Sequence, residues 1–415
     1  MSSKYHLYCT KCGKEYADFG EWFAQGQKCS CGCQRAEVKY FSDYSKLGEL
    51  CQQDAESLFH WFDFLPLNDA ENIVTLGEGA VPLEKWEFLE KYALEHYGIH
   101  CTPVVSRSDL SGGTGTFKDP AAALGASLFR EWGVKGYCAA STGNTATAFS
   151  RYCAEAGVDF TVFVPSDVCT DTVETIRSLG QKAMVSEGKY GQAKKEAADF
   201  SASTGTLMTP GNIDPIRVES KRTLVFEYLR QLKRMPDVYI QAVAGGTAPI
   251  ALDKGVREIA EVCGGKVKIG ADEVEVKLPR VILSQQDTCD PMVKGWEDAS
   301  SEGFPEGWET DFPSVTPATR ISILSTGTPG MYPIVAPIVR NSGGSFVRVK
   351  ESSLVELAKW VRDEKGFVPG PASMVCIAGF LQALEEGLIK EGDVVSINMG
   401  EGSGRASWFR KEVEA

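Results

Sequence analysis

The run Ser111-Gly112-Gly113-Thr114-Gly115-Thr116-Phe117-Lys118-Asp119-Pro120 constrains this chain more than any other stretch. Its three glycines exclude regular structure and permit a tight loop. Ala121, Ala122, Ala123 and Leu124 follow Pro120 and favour helix. Proline suits the first helical turn, where its missing amide is not needed. The β-branched pair Val104-Val105 lies upstream, so the stretch predicts strand, loop, helix, with Lys118 at the junction. A lysine near the positive end of a helix dipole is disfavoured from keeping its own proton. That suits an amine needed neutral for Schiff-base chemistry. A solvated loop lysine is the other reading of this stretch taken alone.

Three further segments carry the same kind of signal. Ser141-Thr142-Gly143-Asn144-Thr145 sits between an expected buried strand, Gly136 to Ala140, and a helical run from Ala146 to Ala154. Asn212 to Thr223, with Pro215, Arg217, Glu219 and Lys221, opens another helix. Val243-Ala244-Gly245-Gly246-Thr247-Ala248 follows the apolar Val238 to Ala242. Its small residues let backbone amides approach a phosphate with a helix N-terminus behind them. The bland readings are a helix cap for the first of these and a tight strand-to-helix turn for the last. Taken together and in this order, the four segments resemble the fold-type II pyridoxal-phosphate (PLP) enzymes, the tryptophan-synthase-β-like family, in its cysteate synthase and threonine synthase branch. Thr75-Leu76-Gly77-Glu78-Gly79-Ala80-Val81-Pro82-Leu83 is similar to a signature near the start of the catalytic body in that family. The resemblance covers roughly residues 75 to 405.

The resemblance implies an α/β chain of two doubly wound domains with PLP as cofactor. It makes Lys118 the Schiff-base lysine and the catalytic acid and base. Gly245, Gly246 and Thr247 would cradle the cofactor phosphate, and Asn144 would contact the ring oxygen. Ser141, Thr142, Gly143 and Thr145 would hold the substrate carboxylate. Arg217 and Lys221, with Arg222 and Arg320 as further candidates, would serve an anionic group, phosphate or sulfite. Family members often place Ser or Thr where Met399 falls, opposite the pyridine nitrogen. A thioether is only a weak acceptor, so Ser403 or Asn398 substitutes, or the nitrogen is unpaired.

Cys9-Thr10-Lys11-Cys12 and Cys29-Ser30-Cys31-Gly32-Cys33 form two close cysteine clusters at the N-terminus. Cys9, Cys12, Cys29 and Cys31 suit a closed, structural zinc-thiolate site, with Cys33 spare or replacing Cys31. The other reading is a ribbon without metal. Some threonine synthases carry a similar ribbon. Phe59, Trp61, Phe62 and Phe64 mark an arm packed on the body. Strands over 160–165, 181–185, 238–242, 281–285 and 345–349 alternate in part with helices over 173–179 and 190–200, which argues for parallel βαβ units. Residues 300–317 read as an exposed loop. The expected domains are a zinc-ribbon-like segment over 1–40, a large PLP-binding domain over 41–124 and 224–415, and a small inserted α/β domain over 125–223.

A chain of 415 residues is too long for one core. A net charge of −13 argues against nucleic acid as a partner. No apolar run approaches the roughly 20 residues that span a membrane. Thirteen cysteines, scattered beyond Cys33, and no apolar signal core suggest a reducing, cytoplasmic setting. The expected partners are a phosphorylated amino acid and a small nucleophile, with the protein a homo-oligomer.

Two departures separate the branches. Threonine synthases usually continue the lysine motif as Lys-Asp-Arg, where this chain has Lys118-Asp119-Pro120, and their Glu-Pro-Ala-Ser segment appears here as Gly370-Pro371-Ala372-Ser373. Segments around Gln285 and Thr326 look more like cysteate synthase. The resemblance therefore implies β-replacement on O-phosphoserine with sulfite to give cysteate. Threonine synthase acting on O-phosphohomoserine is the alternative, and a catalytically dead, zinc-bearing interaction protein is another.

Overall fold

The computed structural model describes residues 3–415. They divide into two compact units. Unit 1 holds the residues up to Ala80, Ser111–Phe226 and Lys268–Ala271, and unit 2 holds Val81–Leu110, Glu227–Val267 and Asp272–Ala415.

Unit 1 begins with a three-stranded antiparallel ribbon in which Tyr5–Cys9 lies between Glu15–Tyr16 and Ala36–Tyr40. Tyr5, Tyr16, Phe19 and Trp22 are buried beneath it. The ribbon docks on its own unit through Phe23 against Phe129, 5.8 Å between centroids, and through the Gln27 amide donating to the Met208 carbonyl at 2.9 Å. The arm follows, with Trp61 and Phe64 against Phe226 at 5.3 and 5.6 Å.

The main sheet of unit 1 has four parallel strands in the order Lys182–Val185, Asp159–Val164, Gly136–Ala140, Leu207–Met208. Helices α1 (Asp119–Glu131), α2 (Asn144–Ala156) and α3 (Pro215–Leu232) carry the motifs. α1 is buried from Asp119 through Phe129, which its small residues allow. A Cβ at Gly125 would lie 3.1 Å from Phe149 of α2, so that glycine seats the two helices together. This packing places 111–124 in unit 1, where the sequence suggested the larger domain.

Unit 2 has a six-stranded sheet in the order Ser345–Val349, Arg280–Gln286, Val238–Ala242, Val394–Met399, Thr102–Arg107, Leu83–Lys85. The first five strands are parallel and the last is antiparallel. Parallel strands covered on both faces read as apolar runs, and Ile240, Ile282, Val347, Val395 and Ile397 form one core with Met374, Ile377 and Phe380. α4 (Thr247–Cys263) follows the third strand, and α5 (Pro371–Glu385) is buried along most of its length. The 300–317 segment is not wholly exposed. Trp308 is buried and meets Trp296 and Phe304 edge-on.

Candidate functional site

Lys118 occupies the N-cap position of α1 and is half-buried, and its carbonyl accepts the Ala122 amide at 3.1 Å. The fully buried Asp119 shapes the loop before it. Its carboxylate accepts the Thr114 amide at 2.8 Å and the Thr114 hydroxyl. Gly112 has φ +80°, and a Cβ there would lie 2.6 Å from Asp119 Oδ2 and 2.9 Å from Glu78 Cβ. Only glycine meets both the dihedral and the space.

The Ser141–Thr145 loop joins Gly136–Ala140 to α2. Ser141 Oγ accepts the amides of Gly143 at 3.2 Å and Ala146 at 3.0 Å, so its hydroxyl oxygen is committed to shaping the loop. Asn144 and Gly143 are buried at the helix start, and Thr142 and Thr145 are half-buried.

α3 contributes two buried basic residues, Arg217 and Lys221. Asp214 precedes it, fully buried, and accepts from Tyr137 Oη at 3.1 Å, Thr209 Oγ1 at 3.0 Å and the Ile216 amide at 3.0 Å. Burial raises the Asp214 carboxyl, against the pull of Arg217. The Arg217 guanidinium lies 5.7 Å from the Phe149 ring, and its buried Nε has no hydrogen-bond partner among the described residues. Lys221, one turn on, is 4% exposed, with Nζ 5.2 Å from the Phe117 ring. Burial drives this amine well below the usual lysine range, and the charges of Lys118 and Arg217 add to that effect. Lys118, Arg217 and Lys221 therefore share one electrostatic neighbourhood.

Arg222 and Arg320 do not join them. Arg222 is fully buried, its Nε donating to Glu219 at 2.9 Å, with its guanidinium 4.5 Å from the Tyr40 ring and bonded to the Phe64 carbonyl. It ties the arm to α3. Arg320 pairs with Glu412 at 2.8 Å and stacks on Trp408 at 3.8 Å, within unit 2.

In unit 2, Val238–Ala242 turns into α4 through Val243–Gly246. Gly246 is the N-cap, with φ +77°, and a Cβ there would lie 2.5 Å from Val335 Cγ2. No side chain caps α4, so its first-turn amides are left without a capping partner from Gly246, and Thr247 is buried beside them. Gln285 holds the turn by donating to the Val243 carbonyl at 3.2 Å. Met399 is fully buried in the apolar core. Asn398 accepts from Ser106 Oγ at 2.9 Å and donates to Tyr239 Oη at 3.2 Å, so its amide is spent inside the sheet. Ser403 is half-buried at the start of a short 3-10 turn.

At the N-terminus, the sulfurs of Cys9, Cys12, Cys29 and Cys31 all lie within 4.8 Å of one another. Cys9 and Cys31 are 3.6 Å apart, and Cys12 and Cys29 are 3.5 Å apart. Zinc at about 2.3 Å from each of four tetrahedral sulfurs sets separations of about 3.8 Å. The Cys31 amide lowers the Cys29 thiol, whereas Cys31, against the Cys33 amide, is raised by burial and the neighbouring thiols, so the clustered thiols titrate as one set. Cys33 turns elsewhere, accepting the Arg35 amide at 3.4 Å.

Sequence reasoning gave no role to Glu78, Tyr152, Asp119 or Asp214. The flanking Gly77 and Gly79, at φ +81° and +90°, were the signal available for Glu78.

A family model described as pyridoxal-phosphate dependent enzyme matches residues 74–400. Threonine synthase of Methanocaldococcus jannaschii is 28% identical over 402 residues, covering 95% of this chain and 91% of the relative. Cysteate synthase of Methanosarcina barkeri is 24% identical over 403 residues, covering 96% and 92%. Among solved structures, diaminopropionate ammonia lyase of Escherichia coli superposes with a TM-score of 0.63 at 15% identity, covering 100% of this chain and 97% of that one. Threonine deaminase isoform 2 of Solanum lycopersicum superposes at 0.61 and 19%, covering 86% and 92%. These two likenesses establish the α/β fold.

Proposed function

The chain belongs to the family of pyridoxal-phosphate-dependent enzymes, and from that premise we propose that it is an amino-acid synthase for a phosphorylated amino acid, replacing the phosphate of O-phosphoserine with sulfite to give cysteate. The observation that carries the reading is the pair of buried basic side chains on α3, Arg217 against Phe149 and Lys221 against Phe117, the residue before Lys118. The buried Arg217 guanidinium and the buried Lys221 amine, which an arriving anion favours in its charged form, suit an anionic substrate, and an orphaned Arg217 Nε is a donor awaiting an acceptor.

The residues present fit PLP. Gly246 lies against Val335, where a Cβ would come within 2.5 Å of Cγ2, so the N-terminus of α4 carries no capping side chain and its first-turn amides suit a phosphate. Lys118, Asn144, Gly245, Gly246, Thr247 and Ser403 would hold the cofactor. When bound, it supplies an electron sink for charge developing at the substrate α-carbon. Lys118 Nζ takes the α-proton and returns it. The amides of the Ser141–Thr145 loop orient the substrate carboxylate. Arg217 and Lys221 hold the phosphate as the Cβ–O bond breaks and sulfite forms the Cβ–S bond. With Asn398 committed to Ser106 and Tyr239, Ser403 is the hydroxyl left for the pyridine nitrogen.

The sulfite reading is favoured by Pro120, buried in the first turn of α1 where a threonine synthase usually has its arginine. Threonine synthase is the second reading, favoured by the higher identity of the relatives so named. Purified enzyme given phosphoserine with sulfite, and separately phosphohomoserine alone, is expected to form cysteate in the first mixture. Threonine from the second with no cysteate from the first reverses the choice. Borohydride trapping is expected to place the cofactor on Lys118, and an adduct on another lysine removes that assignment.

The ribbon cysteines would hold one structural zinc, and the closed set of four thiols leaves no position for substrate. A reducing, cytoplasmic setting is part of the same proposal, since the cysteines beyond Cys33 are scattered along the chain and form no paired framework in sequence.

A further inference from the structure

Behind the Lys118 loop stand two residues that the chemistry above does not use. Glu78 is fully buried between two glycines in left-handed conformations. Its carboxylate accepts the Leu76 amide at 2.8 Å, the Thr75 hydroxyl at 3.0 Å and the Tyr152 hydroxyl at 2.8 Å. Tyr152, from α2, accepts the Gly113 amide at 3.1 Å. A phenol has one proton, so Tyr152 serves Gly113 as acceptor while giving that proton to Glu78. The chain of bonds therefore runs one way, from Gly113 N–H through Tyr152 O–H to Glu78. A second tie lies beside it, where Ser111 Oγ accepts the Gly79 amide at 3.2 Å and donates to the Gly77 carbonyl at 3.2 Å. The loop that ends in Lys118 is thus stitched to 75–79 at both Ser111 and Gly113.

A buried carboxylate costs more to place than an apolar side chain of the same size. What it supplies here is direction, because Oε2, which also accepts the Leu76 amide, offers the Tyr152 hydroxyl a fixed acceptor and through it sets the position of Gly113. Gly112 has no space to move toward Glu78, since even a Cβ there would collide with it.

We infer that Glu78 and Tyr152 are positioning residues that hold the glycine-rich loop in the shape that presents Lys118 Nζ, acting through Gly113 and touching no substrate. The inference rests on Lys118 being the cofactor lysine.

The test uses full-length holoenzyme and the variants Tyr152→Phe, Glu78→Ala and Glu78→Gln. Amide hydrogen exchange over 111–118 reports the loop, exchange over 238–242 reports the fold elsewhere, and visible absorbance on dilution reports cofactor retention. Tyr152→Phe and Glu78→Ala are expected to speed loop exchange and weaken retention by about tenfold each, the size of one lost buried hydrogen bond, with 238–242 unchanged. Glu78→Gln is expected to restore both, since its amide oxygen still accepts from Tyr152. If Tyr152→Phe fails to fold, the Glu78 pair decides. Unchanged loop exchange and retention in Tyr152→Phe and Glu78→Ala, or a Glu78→Gln as impaired as Glu78→Ala, overturns the inference. Borohydride trapping separates the two levels. An adduct away from Lys118 overturns the underlying reading, whereas an adduct on Lys118 with undisturbed variants overturns the positioning role alone.

Discussion

At the scale of single residues, the loop before Lys118 is determined by what will not fit. Gly112→Ala must adopt φ +80° and crowd Asp119 and Glu78, so it is expected to cost about 1–3 kcal/mol. Urea unfolding that matches the wild type counts against this account. Glu78 makes the opposite kind of statement. Burial pushes its carboxyl up from 4.5 to about 7, against the hydrogen bonds of Leu76 and Tyr152. Asp119 also bears on Tyr152, so two acids face this hydroxyl. The folded state then holds a proton that the unfolded chain has released. The stability this gives is complete below pH 4.5 and is lost as pH rises through about 7. Glu78→Gln removes that dependence. Relative to wild type it is expected to gain stability between pH 5 and 8, by up to about 3 kcal/mol. A difference between the two proteins that stays flat with pH contradicts the shift.

At the scale of elements, α3 serves two ends at once. Arg217 and Lys221 lie on the stretch that meets Phe149 and Phe117, whereas Arg222 turns to Glu219, Tyr40 and Phe64. Neighbours in sequence therefore have different work, because residues 221 and 222 are about 100° apart around a helix. Arg222→Ala leaves Glu219 buried without its ion pair and is expected to destabilise by about 3–5 kcal/mol. Thermal or denaturant unfolding measures it. A small change, within about 0.5 kcal/mol as at an ordinary surface site, shows that the pair is not what holds the arm.

At the scale of the molecule, the ribbon is an integral part of unit 1. It rests on the main sheet and helices through Phe23 and Gln27, and it leads directly into the arm. Zinc held by its four cysteines should therefore stabilise more than the ribbon itself. With free zinc about 1,000-fold above its dissociation constant, the metal-bound form is expected to gain about 4 kcal/mol over the chelated one. Metal analysis showing well under one equivalent, or a melting temperature indifferent to chelation and zinc return, removes the site.

Much of this was legible in the chain. The strand-loop-helix at Lys118, the strand feeding α4, the parallel strands and the cysteine pairing follow from local patterns. Glycines, prolines, small-residue runs and β-branched runs act over a few residues, and such patterns survive without knowledge of the fold. The Ser141 loop was legible as a helix start, where the N-cap is Gly143 and the Ser141 hydroxyl accepts the Ala146 amide of the first turn. Other features needed the tertiary structure. Arg217, Lys221 and Arg222 are alike in composition, and only packing separates the two basic residues near Lys118 from the one enclosed by the arm. Asn398 looked available until Ser106 and Tyr239, residues far off in the chain, claimed its amide. Glu78 and Tyr152 are 74 positions apart, yet one hydrogen bond joins them. Burial and long-range partners decide whether a polar group is spent or ready. A sequence determines which groups are present, and the fold determines which of them already have a partner.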